Sequence, residues 1–244
     1  MRLDKFLSDA SPLSRAEARR VIRRGLVPVD GMVVRQAAAA VSECARICLH
    51  DGRDEPVPLR RQGPRYLMLH KPADCVCATQ DPVHRTVFDL LPVEMRSGLR
   101  SVGRLDRDTT GLLLLTDDGA WLHRLTSPRH KVIKVYQARL ARPLDAAAVA
   151  QLCAGVLLRG EQRPTAPAEV TRLADGRVEI HIGEGRYHQV KRMFAAVGNH
   201  VLSLHRAEQG GLRLDTALPP GAWRALRADE LAQLAEPVLA AGSA

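Results

Sequence analysis

Apolar residues follow two different periods along the chain, and the change between them divides it. Near the N-terminus the period is helical. Leu3, Phe6 and Leu7 stand at i, i+3, i+4, which predicts a short helix that Ser11-Pro12 stops. Ser14-Arg15-Ala16-Glu17 reads as a capping box, so a second helix should open at Ser14, bury Ala18, Val21 and Ile22, and close at Gly25. Between Val27 and Val34 the pair Asp30-Gly31 separates two short apolar runs, the pattern of a hairpin turn. The following stretch, 51–63, is polar, holds two prolines and has no period, which is a linker composition.

From Tyr66 onward the pattern mixes strand and helix. Short apolar runs at Tyr66–Leu69 and Leu112–Leu115 predict buried strands, and alternation predicts longer ones at Ile133–Leu140 and Val178–Ile182. Helices are expected at 119–125, 145–154 and 187–197. The last carries the stripe Val190, Met193, Phe194 and Val197, with Gly198 as its stop. Strands and helices do not alternate as strict βαβ units, so the expected class is α+β, with a largely antiparallel mixed sheet flanked by helices. The expected organisation is a small domain over 1–50, a linker over 51–63, a larger domain over 64–236 and a frayed tail over 237–244.

Charge narrows the function. The 244 residues hold 36 Lys+Arg against 27 Asp+Glu, a net charge of +9, which suits an anionic partner. No apolar run approaches the ~20 residues that span a bilayer. The start, MRLDKFLSDASP, carries Asp4 and Asp9 and lacks the apolar centre of a signal peptide. The expectation is a cytoplasmic protein without membrane association, whose anionic partner is nucleic acid. The five cysteines are an odd number and no C-x-x-C or H-E-x-x-H occurs, so neither a disulfide framework nor a metal is expected. Cys75 and Cys77 read as packing residues.

Within the second predicted helix Arg15, Arg19 and Arg23 are four apart, with Arg20 and Arg24 beside them. Like charges at that spacing repel, so helix stabilisation explains them poorly. A face that contacts phosphates is preferred to a merely solvated one. Three polar clusters follow in the larger domain: Arg104-Leu105-Asp106, Lys134-Val135-Tyr136, and Glu184 to Arg192. Singly each has an ordinary reading, namely surface ion pairing, an exposed lysine beside a half-buried tyrosine, and a helix entry. The phosphate-loop pattern G-x-x-x-x-G-K-[ST] is absent.

Together these stretches carry a resemblance. Residues 2–35, RLDKFLSDASPLSRAEARRVIRRGLVPVDGMVVR, resemble an S4 (αL-type) RNA-binding domain. GRLDRDTTGLLLLTDDG, KVY and EGRYHQVKRMFAAVGNHVLSLHR resemble the three motifs of the RsuA branch of the pseudouridine synthases. GPRYLMLHKP and LTSPRHKVIKVY are similar to its small-subunit rRNA members rather than its large-subunit ones. The resemblance implies an S4 domain followed by a pseudouridine synthase domain. It also implies a catalytic set of Asp106, Tyr136 and Lys191, no cofactor, and ribosomal RNA as partner of a monomeric isomerase active in ribosome biogenesis.

Chemical need agrees with that assignment. Moving uracil from an N1 to a C5 link at ribose C1′ requires an ionised carboxylate near the ribose, as nucleophile at C1′ or base at C2′. Negative neighbours and burial favour the neutral acid, and a cation within ~4–6 Å favours the ionised form. Lys191 is the expected partner of the carboxylate and Arg186 the alternative. Arg104 is expected to hold a phosphate or prop the loop, and His188 to contact RNA or make a structural hydrogen bond. Tyr136 suits stacking on a flipped-out base. Two alternatives remain at this point: a large-subunit (23S) rRNA enzyme, and a non-catalytic S4-type assembly factor in which Asp106 is only structural.

Overall fold

The computed structural model describes residues 1–42, 44–50, 57–59 and 63–235, and the chain forms two compact units, Met1–Pro64 and Arg65–Ala244. In the first unit α1 (Leu3–Ala10) and α2 (Arg15–Arg23) precede four short strands, β1 (Pro28–Val29), β2 (Met32–Val33), β3 (Ile47–Leu49) and β4 (Val57–Leu59), in the sheet order β2-β1-β3-β4. Ser14 caps α2 as expected: its hydroxyl accepts the Glu17 N–H while the Glu17 carboxylate accepts the Ser14 N–H. The β1–β2 turn places both Asp30 (φ 51°) and Gly31 (φ 80°) in the left-handed region, which an Asp-Gly pair tolerates. Leu3, Phe6 and Leu7 pack with Ala18, Ile22, Val27, Val41 and Ile47 into one core. Strand β4 falls inside the stretch expected to be linker. There Leu49 pairs with Val57 and Ile47 with Leu59, so backbone pairing overrides a local composition that lacks any period. Residues 51–56 and 60–62 of that stretch, and the expected frayed tail, lie outside the described residues.

The second unit is built on one nine-stranded sheet. Its strands are β5 (Tyr66–Lys71), β6 (Arg100–Ser101), β7 (Thr110–Thr116), β8 (Lys134–Leu140), β9 (Glu169–Arg172), β10 (Val178–Ile182), β11 (Val201–Gln209), β12 (Leu212–Arg213) and β13 (Trp223–Ala225). They run in the order β13-β5-β7-β11-β8-β10-β9, with β12 beside β11 and β6 beside β7. Every pairing is antiparallel except β7 with β11, as an α+β reading requires. The helices α3 (Val93–Arg96), α4 (Gly119–Thr126), α5 (Ala146–Ala154), α6 (Gln189–Ala196) and α7 (Ala228–Ala235) flank it.

The unbroken Leu112–Leu115 run has a physical reason. Leu113 and Leu115 share one buried core with Leu67, Leu69 and Phe194, whereas Leu112 and Leu114 share another with Met68, Trp121 and Leu226. A strand covered on both faces reads as continuously apolar. Beside it, β11 shows no such signal. Its burial alternates irregularly and its register with β8 shifts at two places, so the strand at the centre of the sheet order is not legible from pattern alone. Gly111 lets the two strands approach: a Cβ there would lie 2.2 Å from the Arg206 carbonyl oxygen. Among the described residues no helix is long and apolar enough to cross a membrane.

Candidate active site

The loop that carries Asp106 enters β7 and is fastened at several points. Val102 N–H donates to the Leu114 carbonyl at 2.8 Å and Leu105 N–H to Cys77 Sγ at 3.3 Å. Leu105 itself is buried in the larger core. Asp74 N–H donates to the Arg107 carbonyl at 2.9 Å, and Thr109 N–H to that of Asp106 at 3.1 Å. The strongest anchor is Lys71 at the end of β5, which is wholly buried. Its ammonium donates to the carbonyls of Pro72 (3.0 Å), Arg107 (3.1 Å) and Thr109 (2.8 Å). Burial lowers its pKa from the ordinary lysine value. A lysine next to a proline at a strand end reads as exposed, which is why sequence reasoning passed over it.

These anchors leave the Asp106 carboxylate between two side chains from the start of α6. Lys191 Nζ lies 3.1 Å from Oδ2 and His188 Nε2 lies 3.4 Å from Oδ1. The same ammonium lies 2.6 Å from Asp108 Oδ1. Burial works against the charge of Lys191, but its hydrogen bonds to Asp108 and Asp106 outweigh it and raise its pKa. The Lys191 hydrogen bond correspondingly lowers the pKa of Asp108. His188 caps α6 in the left-handed region (φ 47°), and its ring stacks on exposed Tyr187 at 3.8 Å between centroids.

Arg186, the alternative partner of the carboxylate, is engaged elsewhere. Its guanidinium donates to Glu161 (2.6 Å), Glu184 (3.3 Å) and the carbonyls of Arg163 and Pro164. Glu161 also accepts from Arg192 at 2.8 Å, and Gln189 ties Glu184 to the Arg186 N–H. This network sets the path of the chain into α6 and so aims Lys191 and His188.

A cavity of about 570 Å³ opens over the carboxylate, and Arg104, Asp106, Tyr136, Arg186, His188 and Lys191 all line it. Tyr136 is 8% exposed, so one face of its ring belongs to the core. Lys134, for which an exposed position was the ordinary reading, also lines the cavity and donates to the Val132 carbonyl at 2.9 Å. Burial, and then the nearby positive charge of Arg206, push Lys134 down to about 8. Arg206 and Gln209, on the strand that pattern did not reveal, complete the floor.

In the first unit the arginine face divides. Arg19 and Arg15 lie 3.0 and 3.4 Å from the wholly buried carboxylate of Asp4, which Arg2 also binds at 2.9 Å. Burial alone would raise the Asp4 pKa, but these three partners hold it far below the carboxylate range. Arg20, Arg23 and Arg24 are exposed, and their side chains make no ion pair among the described residues.

Residues 65–196 match the family of RNA pseudouridylate synthases, and residues 1–47 match the S4 domain. The chain belongs to the RNA pseudouridylate synthase family. It is therefore an isomerase of RNA uridines, as its motifs implied. This RNA pseudouridylate synthase is 48% identical to the ribosomal small subunit pseudouridine synthase A of Escherichia coli (strain K12) over 96% of its own length and 100% of the relative's. With the protein of the same name from Vibrio cholerae it shares 45% identity, over 96% and 99% of the two chains. A crystal structure of a pseudouridylate synthase superposes with a TM-score of 0.69 at 42% identity, covering 96% of this chain and 99% of that one.

Proposed function

We propose that this RNA pseudouridylate synthase isomerises one uridine of small-subunit ribosomal RNA, as a cytoplasmic monomer that needs neither metal nor cofactor. Residues 1–50 grip the RNA and residues 64–236 carry the chemistry. The observation that carries this reading is the meeting of Asp106, Tyr136 and Lys191 around one cavity of a single unit. The small-subunit target is supported by the names of the full-length relatives in E. coli and V. cholerae.

In this mechanism the uridine is flipped from the RNA into the cavity, where Tyr136 stacks on the base and offsets part of the lost stacking. Asp106, with the Lys191 ammonium 3.1 Å from its carboxylate, attacks C1′ or takes the C2′ proton. The C1′–N1 bond then breaks, the base turns, and C5 joins C1′. No net redox change accompanies this exchange, so the reaction calls for no electron carrier. His188 and Arg104 contact the RNA at the mouth, and Arg186 acts by positioning α6. Comparing pseudouridine maps of ribosomal RNA from cells with and without the protein tests the assignment. Loss of one pseudouridine from small-subunit RNA is expected, and a loss confined to large-subunit RNA would overturn the target.

A further inference from the structure

Strands β8 and β11 lie side by side under the cavity, with Tyr136 opposite Arg206 and Lys134 opposite Gln209. Along a regular strand Arg206 and Gln209, three residues apart, would face opposite sides. The register shift between Arg206 and Glu208 inserts a residue, and both side chains line the cavity together with Lys134 and Tyr136. Arg206 and Gln209 are each only 1% exposed. Arg206 Nε donates to the Leu112 carbonyl at 2.8 Å, but its Nη2 has no partner among the described residues, nor has Gln209 Oε1. A third such buried atom, Thr109 Oγ1, belongs to another residue of the cavity lining.

Buried donors and acceptors without partners are costly and rare, so their gathering on one cavity points to a ligand that completes them. Of these, Arg206 and Gln209 offer one donor and one acceptor. Uracil presents the complement: N3–H donates, and a ring carbonyl oxygen accepts on either side of it. Cytosine has an acceptor at N3 and would set it against the Gln209 oxygen. We propose that Arg206 and Gln209 read the edge of the target base, with Gln209 Oε1 accepting N3–H and Arg206 Nη2 donating to the neighbouring carbonyl oxygen. This rests on the reading of the cavity as the seat of the flipped uridine.

The contact also acts in the chemistry. When the C1′–N1 bond breaks, its electron pair leaves with the base and spreads onto the ring carbonyl oxygens. After C5 bonds to C1′, C5 gives up its proton and N1 takes one, so the product is an isomer of the substrate. A guanidinium on a carbonyl oxygen binds the detached, anionic base more strongly than the neutral one.

RNAs carrying uridine or 3-methyluridine at the target position test the proposal in single turnover with saturating full-length enzyme. The methyl group removes the donor and collides with an acceptor placed at N3. Gln209→Ala should slow uridine by ~10- to 100-fold, the effect of one unsatisfied buried group. It should also make room for the methyl, so that the preference for uridine over 3-methyluridine shrinks at least tenfold, by the same reasoning. Gln209→Met, which keeps the volume, should lose the same factor on uridine, with thermal melting confirming the fold of both variants. Arg206→Met should slow both RNAs alike, because both keep the ring carbonyls. Where that variant does not fold, the Gln209 pair decides. An unchanged preference in Gln209→Ala, or a wild-type rate in folded Arg206→Met, overturns the proposal. Asp106→Asn run alongside separates the two readings. If it still makes pseudouridine, the cavity is not the site; if it is inactive while Gln209→Ala keeps the wild-type preference, only the reading of the base edge fails.

Discussion

Asp4 and Asp106 each follow Arg-Leu in the chain and precede a basic residue, yet their carboxylates live in opposite surroundings. Asp4 is wholly buried and closed in by Arg2, Arg15 and Arg19. Asp106 has Lys191 and His188 on one side, and its side chain remains 25% exposed toward a cavity. Closure on all sides makes a carboxylate part of the fold. An open side, with Lys191 and His188 on the other, leaves it facing a cavity that can admit a ligand. Local sequence does not separate the two cases, because the partners of Asp106 stand more than eighty residues away on α6.

The comparison breaks most sharply on paired substitutions. Asp106→Asn should bring pseudouridine formation below detection while RNA binding survives; an Asp106→Asn protein with near-normal yield would sink the proposed mechanism. Asp4→Asn should leave the single-turnover rate of folded enzyme intact. At the floor of the site, Tyr136→Phe keeps the stacking face, whereas Tyr136→Leu gives up about 1–3 kcal/mol of it and should slow turnover ~10- to 100-fold. Equal, near-wild-type rates for both would remove Tyr136 from the site.

Smaller effects probe the closed carboxylate. Breaking a fully buried ion pair costs ~3–5 kcal/mol, but the three arginines here are about half exposed and can turn to water, so Asp4→Asn should cost about 2 kcal/mol in urea unfolding of the whole chain. The dependence on pH has a definite sign. The folded-state pKa of Asp4 is depressed, so its stabilisation is complete above the ordinary carboxylate range and is lost as pH falls below ~4, where the unfolded chain takes up the proton first. Asp4→Asn should flatten that acid limb; an unchanged limb would assign it to other carboxylates. The smallest effect concerns RNA affinity. Arg20, Arg23 and Arg24 changed to Gln should lower the slope of log K against log salt by about 0.7–0.9 for each phosphate they cease to neutralise. Arg15 and Arg19 changed to Gln should lower stability as well, since they also hold Asp4. An unchanged slope in the first triple variant would make that face a solvated one.

Where a residue's partners are local, the chain announced them. The Ser14–Glu17 capping box and the Asp30-Gly31 turn are legible because each depends on neighbours within a few positions, and the Leu112–Leu115 strand because cover on both faces leaves an unbroken apolar run. Motif resemblance reached Asp106, Tyr136 and Lys191, which the fold gathers around one cavity. Arg186 was harder, since only the tertiary structure reveals that Glu161 and Glu184 claim it. Lys71 and the strand carrying Arg206 and Gln209 escaped altogether. A buried ammonium bound by three carbonyls has no sequence signature, and a bulge breaks the period by which a strand is recognised.

Strand β7, hydrogen-bonded to β5 and β11 and covered on both faces, sets the durability of the site that hangs from it. Backbone amides in such a position exchange with solvent only when the whole domain opens. The loop bearing Asp106 enters this strand directly and is tied to it by the Val102–Leu114 hydrogen bond. Partial fraying of the outer strands β9 and β13 therefore leaves the carboxylate in register with Lys191. Under gradually rising denaturant, activity should persist until the amides of Leu112 to Leu115 begin to exchange with deuterium, and the two losses should coincide.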